Sequence, residues 1–283
     1  MRAQSAIGDV GMQSRFGVSS ESLIETSGLT KKFGSLQALA DLNLRIMPGE
    51  IYGLLGPNGA GKTTAIKNIL GLLEPTSGWI KVAGFDPAKD SIEFKSKIGY
   101  VAENPIVYDS LSPRDFLEFV ASIRKIDRVV TNEMVAHLAN AFDMSQYFDS
   151  PIATLSLGMK QKVALIASLI HQPPVLLLDE PLNGLDAKSS RIVKDLVSFH
   201  AQKGGAVLFS THIMEVAEQI CTRIGIINQG RVIAEGTLDQ LRSKTECMGD
   251  TLEEVFLKLT HEESEVTDTV RMLREAFFKN EVS

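Results

Sequence analysis

The sequence is poor in cysteine and in clustered basic residues, and each shortage narrows what the chain can be. Its 2 cysteines, Cys221 and Cys247, show no CxxC spacing and accompany no secretory signal. We therefore expect both to be reduced and to form neither a structural disulfide nor a zinc site. With 29 basic against 35 acidic residues and no basic block, the charge pattern of a nucleic-acid-binding protein is missing. We expect no nucleic-acid partner.

Long apolar runs are also missing. The longest covers 163–170 and 175–178, and it is interrupted by a polar, proline-containing segment at 171–174. A membrane-spanning helix needs about 20 consecutive apolar residues. We therefore expect a cytoplasmic protein that reaches a membrane only through a partner. The 44% of hydrophobic residues in 283 are ample for a globular core.

One stretch, which begins at Gly56, predicts a loop that binds a polyphosphate. It lies between an apolar run at 51–55, which predicts a buried strand, and a helical run at 65–70. Glycines let successive backbone N–H groups turn inward, and the helix directs its positive end at the same point. The predicted nucleotide-binding residues, which complete a GxxxxGK[ST] motif, are Pro57, Asn58, Gly59, Ala60, Gly61, Lys62, Thr63 and Thr64.

Three side chains of this loop have separate predicted tasks. Lys62 places a compact positive charge between the β- and γ-phosphates of a bound nucleotide. The Thr63 hydroxyl has the length and hardness to complete a Mg²⁺ shell. Thr64 can contact the α-phosphate.

The beginning of the chain predicts a disordered leader followed by short strands. Residues 1–21 are polar, rich in glycine and serine, and aperiodic. Strand patterns follow at 23–26 and 42–46, with a polar turn at 30–34 between them. Phe33 lies in this turn, and its ring either stacks on an adenine base or packs on the sheet edge. Local sequence leaves both alternatives open.

Strands alternate with helices through most of the remaining chain, which predicts a largely parallel sheet covered on both faces. A short charged helix is predicted at 91–96. A long helical stretch, with Ser112 as the first N-cap, forms an all-helical insert at about 104–172. The predicted strands are 78–82, 98–102, 174–178, 206–210 and 224–227.

Two amphipathic segments close the sequence. In 251–260 the apolar residues recur at i, i+3, i+4 and i+7, as on one face of a helix. A second stripe consists of Val266, Val270, Leu273 and Phe277. We expect both helices to dock on their own domain rather than on a partner.

Two adjacent carboxylates, Asp179 and Glu180, end the apolar strand that begins near 174. The carboxyl ends of strands are where α/β sheets bind ligands. Because side chains alternate along a strand, Asp179 is expected to face the Mg²⁺ held by Thr63. Glu180 then faces the space beyond the γ-phosphate, where it can orient and deprotonate an attacking water.

With the loop and the carboxylates together, the chain resembles the nucleotide-binding subunits of ABC (ATP-binding cassette) transporters, from about Leu23 to about Leu241. The resemblance implies an α/β P-loop NTPase with a mainly parallel core sheet, an N-terminal antiparallel β subdomain and an inserted all-helical subdomain. It implies ATP and Mg²⁺ as cofactors. It also divides the chain into a leader at 1–21, an ATPase domain at 22–243 and a helical tail at 244–283.

A second phosphate-binding element is implied by the segment 154–161, which stands where the family has its LSGGQ signature. Ser156, as the cap of a helix, and Gly158 would contact the γ-phosphate of an ATP held by the opposite subunit. Leu157 departs from the family pattern by replacing the first glycine, and Met159 replaces the glutamine.

Three more residues follow from the resemblance. Asp186 ends a motif that lies across the dimer interface in the family, and His212 matches the histidine that contacts the γ-phosphate. Glu103 stands where the family usually has a glutamine that touches Mg²⁺, or the alignment shifts by one residue and Asn104 takes that place. A carboxylate can still ligate Mg²⁺, but it adds negative charge near the γ-phosphate.

The mechanism implied is ATP-driven closure of a dimer, with Lys62, Glu180 and His212 as catalytic residues. The chain would pair with itself or with a homologous ATPase subunit. An integral-membrane permease subunit would dock on the helical insert and on the loop at 103–111, which holds the protein at the inner face of the cell membrane. The tail, and the lack of an added β-rich regulatory domain, favour export.

Two other functions use the same loop. One is a soluble ABC-type ATP switch, although such proteins usually carry a coiled coil or a second cassette. The other is a small-molecule kinase, which would need neither the signature helix nor the histidine. Co-purification of a hydrophobic subunit from detergent-solubilised membranes would distinguish transport from the soluble switch.

Overall fold

A computed structural model describes residues 21–244, 251–260 and 263–278. The predicted leader, apart from residue 21, lies outside these ranges, as do Cys247 and His261. The strands of the described residues are β1 (Ile24–Phe33), β2 (Leu36–Ile46), β3 (Ile51–Leu55), β4 (Ser77–Val82), β5 (Ile98–Val101), β6 (Val175–Asp179), β7 (Ala206–Thr211), β8 (Arg223–Asn228) and β9 (Arg231–Gly236).

The helices lie between these strands and beyond the last of them. They are α1 (Lys62–Ile69), α2 (Ser91–Ser96), α3 (Pro113–Ile123), α4 (Arg128–Ala141), α5 (Leu157–Leu169), α6 (Ala187–Gln202), α7 (Met214–Ile220), α8 (Leu238–Lys244), α9 (Leu252–Thr260) and α10 (Glu263–Phe278). Among the described helices, none is long and apolar enough to cross a bilayer.

A small antiparallel sheet has the strand order β2-β1-β4. The predicted turn at 30–34 is largely wrong, because β1 stays paired with β2 as far as Phe33, which lies opposite Leu36. The chain reverses only afterwards, where Gly34 takes a positive φ of 58° that suits glycine. The polar residues of this stretch line a half-solvated strand, which single-residue turn propensities do not distinguish from a loop.

The main sheet has the order β5-β6-β7-β3-β8-β9, and all its strand pairs are parallel except the antiparallel pair β8–β9. Every residue of β3, β6 and β7 is buried, as expected for strands covered on both faces. This architecture confirms the predicted fold class.

The carboxyl ends of three neighbouring strands meet at one edge of this sheet. Leu55 at the end of β3 pairs with Thr211 at the end of β7, and Asp179 at the end of β6 pairs with Ser210. The glycine-rich loop, the carboxylates and the segment that follows β7 therefore leave the sheet side by side. In α/β sheets, this edge is where ligands bind.

The helical insert begins with a capping box, in which Ser112 accepts a hydrogen bond from the Asp115 backbone N–H. The insert shares its apolar core with the sheet: Phe116 and Phe142 belong to the same buried cluster as Phe209 of β7. Helix α5 lies directly against β5. The insert and the sheet thus share one continuous apolar core.

The two tail helices differ in burial. In α9, Leu252, Val255 and Phe256 are buried against α7, β8 and the end of β3, as predicted. For α10 the docking prediction is wrong, since Leu273 is 51% and Phe277 is 77% exposed. Helix α9 already covers the apolar surface of the domain, and α10 contacts α9 beyond it. The side chain of Val266 lies outside what the structure describes.

Candidate active site

The glycine-rich loop after β3 leaves no room for side chains at two of its glycines. A Cβ on Gly56 would lie 2.2 Å from the Ile227 carbonyl oxygen, and one on Gly61 would lie 2.6 Å from that of Ala38. Gly61 also has a φ of +110° and forms the N-cap of α1 without a side-chain hydrogen bond. The first backbone N–H groups of α1 are therefore left for an anionic ligand.

Lys62 lies inside this loop and is only 6% exposed. Its Nζ donates to the carbonyl oxygens of Gly56, at 2.7 Å, and Pro57, at 3.2 Å. It also lies 3.7 Å from Oε1 of Glu180. A buried ammonium held by carbonyl groups and one carboxylate is suited to a polyanion that enters the loop.

The two carboxylates at the end of β6 point to different partners. Asp179 is 1% exposed, and its Oδ1 accepts a hydrogen bond of 2.5 Å from the Ser210 hydroxyl of β7. Burial, followed by the charge of Asp179, raises the pKa of Tyr100 to about 12. Sequence reasoning missed Ser210; the signal available was its position at the end of the neighbouring apolar strand.

Glu180 follows the strand with a φ of +47°, and its side chain is 5% exposed. Its Oε1 lies 2.9 Å from Nδ1 of His212, whose side chain is 44% exposed. A neutral His212 that carries its proton on Nδ1 donates this hydrogen bond. The carboxylate thus has a histidine on its solvent side and Lys62 on its inner side.

A cleft of about 400 Å³ opens over these groups. Phe33 lies on its rim with 47% of the residue exposed, and outside the apolar clusters that the described residues form. Lys31 Nζ lies 5.1 Å from the centroid of this ring, and stacking on a base stays a prediction. The cleft is lined by Phe33, Leu36, Ala38, Asn58, Gly59, Gly61, Lys62, Thr63, Thr64, Glu103 and Glu180.

The predicted Mg²⁺ ligands supply only oxygen donors, which is the chemistry that Mg²⁺ requires. Thr63 and Glu103 line the cleft, whereas neither Asp179 nor Asn104, the alternative to Glu103, is among its lining residues. Asp179 lies at the end of β6, one residue before Glu180. Side chains present at this edge of the sheet therefore fit a hydrated Mg²⁺ bound together with phosphate oxygens.

The signature segment forms a separate surface at the start of α5. Ser156 caps the helix as predicted, with its Oγ accepting a 3.3 Å hydrogen bond from the Met159 N–H. Leu157 is 55% exposed. Gly158 lies so close to the segment after β6 that a Cβ there would be 2.2 Å from the Gly184 carbonyl oxygen. A contact within the chain, with the Gly184 carbonyl, therefore explains why this position requires glycine.

Asp186 caps α6, where its carboxylate accepts from the Ser189 N–H at 2.8 Å and pairs with Lys162 at 3.1 Å. The hydrogen bonds from Ser189, and then the one from Lys162, hold the pKa of this carboxyl well below its ordinary value. Neither Asp186 nor the signature residues Ser156 and Gly158 line the cleft of their own chain.

The family model described as ABC transporter matches residues 39–183, which is about half of the 283 residues. The chain belongs to the ABC transporter family. It is 37% identical over 249 residues to "Probable multidrug ABC transporter ATP-binding protein YbhF" of Escherichia coli (strain K12), across 87% of this chain and 43% of the relative. The chain thus spans less than half the length of that relative.

Solved structures of the family are also similar. One, described as "Structure of ATP binding subunit of ABC transporter", has a TM-score of 0.81 at 32% identity and covers 84% of this chain and 99% of its own. Another, "Dimeric structure of a post-hydrolysis state of the ATP-binding cassette MJ0796 bound to ADP and Pi", has a TM-score of 0.69 at 25% identity, over 76% and 98% of the two chains.

Within this ABC transporter chain, the predicted site residues fall into two groups. The phosphate loop, Phe33, Glu103, Glu180 and His212 gather at one edge of the main sheet. The second group, Ser156, Gly158 and Asp186, lies at the N-termini of α5 and α6.

Proposed function

We propose that this chain binds ATP with Mg²⁺ in the cleft and hydrolyses it to ADP and phosphate. One observation carries the proposal: a nearly buried Glu180 carboxylate lies 2.9 Å from His212 and 3.7 Å from Lys62, at the mouth of the phosphate loop. Such a group can orient a water and take its proton, while Lys62 holds the phosphates. A general base of this kind contributes about 10² to 10⁴ in rate.

The binding roles follow from the cleft lining. The ring of Phe33 stacks on the adenine, and the loop from Pro57 to Thr64 surrounds the phosphates. His212 contacts the γ-phosphate from the solvent side. Thr63, Asp179 and Glu103 would hold the Mg²⁺, which when bound neutralises charge on the β- and γ-phosphate oxygens.

A second subunit completes the site. Ser156 and Gly158 at the exposed start of α5, together with Asp186, would face the γ-phosphate of an ATP held in the partner's loop. The relative described as dimeric and bound to ADP and Pi supports the pairing of two subunits. ATP would therefore join two chains, either identical or homologous, and hydrolysis would separate them.

A membrane permease is the proposed partner for coupling. Ile106 and Tyr108 are 75% and 56% exposed in the loop before α3, and Tyr108 packs edge-on against Phe119, which is 43% exposed. An apolar surface of this kind suits a protein partner. The relative named as multidrug supports export. The chain would then lie at the inner face of the membrane, with an ATPase domain at 22–243 and a tail from 244 onward. Co-purification with a permease tests the coupling.

The test of hydrolysis is Glu180→Gln, which keeps the size of the side chain and removes its basicity. We expect phosphate release to fall by about 10² to 10⁴ while ATP still binds, so that an ATP-bound dimer accumulates. Phosphate release and light scattering with Mg-ATP measure the two effects. Glu253→Gln on the exposed side of α9 is the matched control and should leave both unchanged.

Turnover by Glu180→Gln at the wild-type rate would show that the base is another group. Turnover falling equally in both variants would point to a general loss of folded protein instead, which circular dichroism detects.

A further inference from the structure

Gln161 is the last residue of the signature segment 154–161, and it is buried within α5, away from the residues that line the cleft. It has no exposed surface, and its Nε2 donates a hydrogen bond of 3.3 Å to the carbonyl oxygen of Pro181. Its Oε1 is buried and accepts no hydrogen bond from the part of the chain that the structure describes. A buried amide is costly unless it is bonded, so a glutamine here needs a purpose that an apolar residue would not serve.

Helix α5 makes three contacts with the segment 181–186, which we call the linking segment. Gln161 makes the second of them. One turn earlier, Gly158 lies against the carbonyl of Gly184, closely enough to exclude a Cβ. One residue later, Lys162 is paired at 3.1 Å with the carboxylate of Asp186. Positions i, i+3 and i+4 share one face of a helix, so α5 presents all three contacts together.

The linking segment begins immediately after Glu180. The backbone N–H of Glu180 is fixed to Ser210 of β7, and its φ of +47° turns the chain out of the sheet. The carbonyl of Glu180 itself accepts from the Asn183 N–H at 3.1 Å, and the carbonyl after it, that of Pro181, is the group that Gln161 holds. Gln161 thus holds the first carbonyl of the linking segment, one residue after the carboxylate whose Oε1 lies 2.9 Å from His212.

We infer that Gln161 is a positioning residue that sets the orientation of Glu180 through the Pro181 carbonyl. The inference rests on the proposed role of Glu180 as the base in ATP hydrolysis. It also links the two groups of site residues: the helix whose first turn carries Ser156 and Gly158 is the helix that holds the base of its own chain. Displacement of α5 by a nucleotide in the partner subunit is thereby transmitted to Glu180.

The test replaces Gln161 by methionine, which has a similar length and volume but no donor. For Gln161→Met we expect kcat for ATP to fall about tenfold or more, because a misplaced base loses much of the gain that general-base catalysis provides. The dissociation constant of a fluorescent ATP analogue should stay within about twofold, since Gln161 does not line the cleft. Gln202→Met, at the exposed end of α6, is the control.

A loss of kcat without a loss of nucleotide affinity is what positioning predicts, whereas general destabilisation lowers both together. Lys162→Met, which removes the contact to Asp186 from a side chain that is 12% exposed, should reduce kcat in the same way by a smaller factor. It remains informative if Gln161→Met folds poorly.

Wild-type kcat in both variants would overturn the inference and leave the proposed function intact. An unmodified chain that binds no ATP or releases no phosphate would overturn the proposed function, and the inference with it. A tenfold fall in kcat for Gln161→Met, with nucleotide affinity and the Gln202→Met control unchanged, supports both.

Discussion

The N-termini of α1 and α5 are both directed at phosphate in the proposed dimer, yet they are built differently. At α1 the N-cap is a glycine that offers no side chain, and the first turn contains the buried Lys62. At α5 the N-cap Ser156 satisfies the Met159 N–H itself, and the next residue, Leu157, is exposed. The first terminus keeps its donors for a ligand; the second is a stable surface even without one.

This difference assigns nucleotide binding to the α1 site and dimer formation to the α5 site. The α1 site is enclosed within one chain, with its cation in place, and is suited to hold nucleotide tightly. The α5 site lies open on the surface and can be used only when another chain presents a phosphate to it. Mutations at the two termini should therefore act on different measurable quantities.

The largest effect is expected at α1. Lys62→Ala removes the only side-chain cation that lines the cleft in the described residues. Charge-assisted hydrogen bonds to phosphate are worth about 3 kcal/mol, so affinity for ATP should fall about 100-fold or more. Titration with a fluorescent ATP analogue measures this. Lys89→Ala, at a lysine that is 80% exposed, is the control. Undiminished affinity in Lys62→Ala would contradict the phosphate-loop assignment.

At α5 we expect a smaller effect, on stability and on dimerisation but not on the ATP affinity of the single chain. Ser156→Ala removes the cap and should cost about 1 kcal/mol of unfolding free energy, or about 2–4 °C in melting temperature. ATP affinity of the single chain should not change, while ATP-driven dimerisation should weaken. Ser156→Asp is the matched variant, because it restores the cap but places a negative charge before the partner's phosphate. Dimers of Ser156→Asp that form as readily as the wild type would contradict the role of α5.

The smallest effect is expected at the neighbouring N-terminus, that of α6. Hydrogen bonds from Ser189 hold the pKa of Asp186 below its ordinary value of 3.8. A carboxyl whose pKa is lowered by folding stabilises the protein fully above about pH 4, and this stabilisation is lost as the pH falls further. Asp186→Asn keeps a capping oxygen but does not titrate, so its melting temperature should depend less on pH between about 2 and 5. Identical pH profiles would show that this cap contributes nothing.

Local signals in the sequence were sufficient for most of the fold. The phosphate loop, the short helix α2 at Ser91–Ser96 and the cap at Ser112 each have a local cause: glycine spacing, charge pattern and capping chemistry. The alternation of strands with helical runs was enough to predict the mainly parallel sheet.

The predictions that were wrong depend on how neighbouring elements pair and pack, which the residue types of a single segment do not determine. The course of β1 as far as Phe33 is decided by its pairing with β2. Helix α9 packs into an apolar cluster of the domain, whereas α10 contacts α9 and leaves Leu273 and Phe277 exposed. In the site, the same applies to Ser210 and Gln161, whose partners lie 31 and 20 residues away. Periodicity and motif spacing carry no information about such pairs.

The backbone of Glu180 has a further consequence. Most L-amino acids in the left-handed region, where Glu180 lies, cost of the order of 1 kcal/mol or more, and glycine, which has no carboxylate, avoids this cost most readily. The backbone of this turn would thus be less strained with a residue that cannot do the proposed chemistry, whereas the Glu180 side chain offsets the strain through its contacts with His212 and Lys62. Glu180→Gly should therefore relax the backbone but leave the buried Lys62 without its carboxylate partner, so the left-handed turn and the ion pair act on stability in opposite directions.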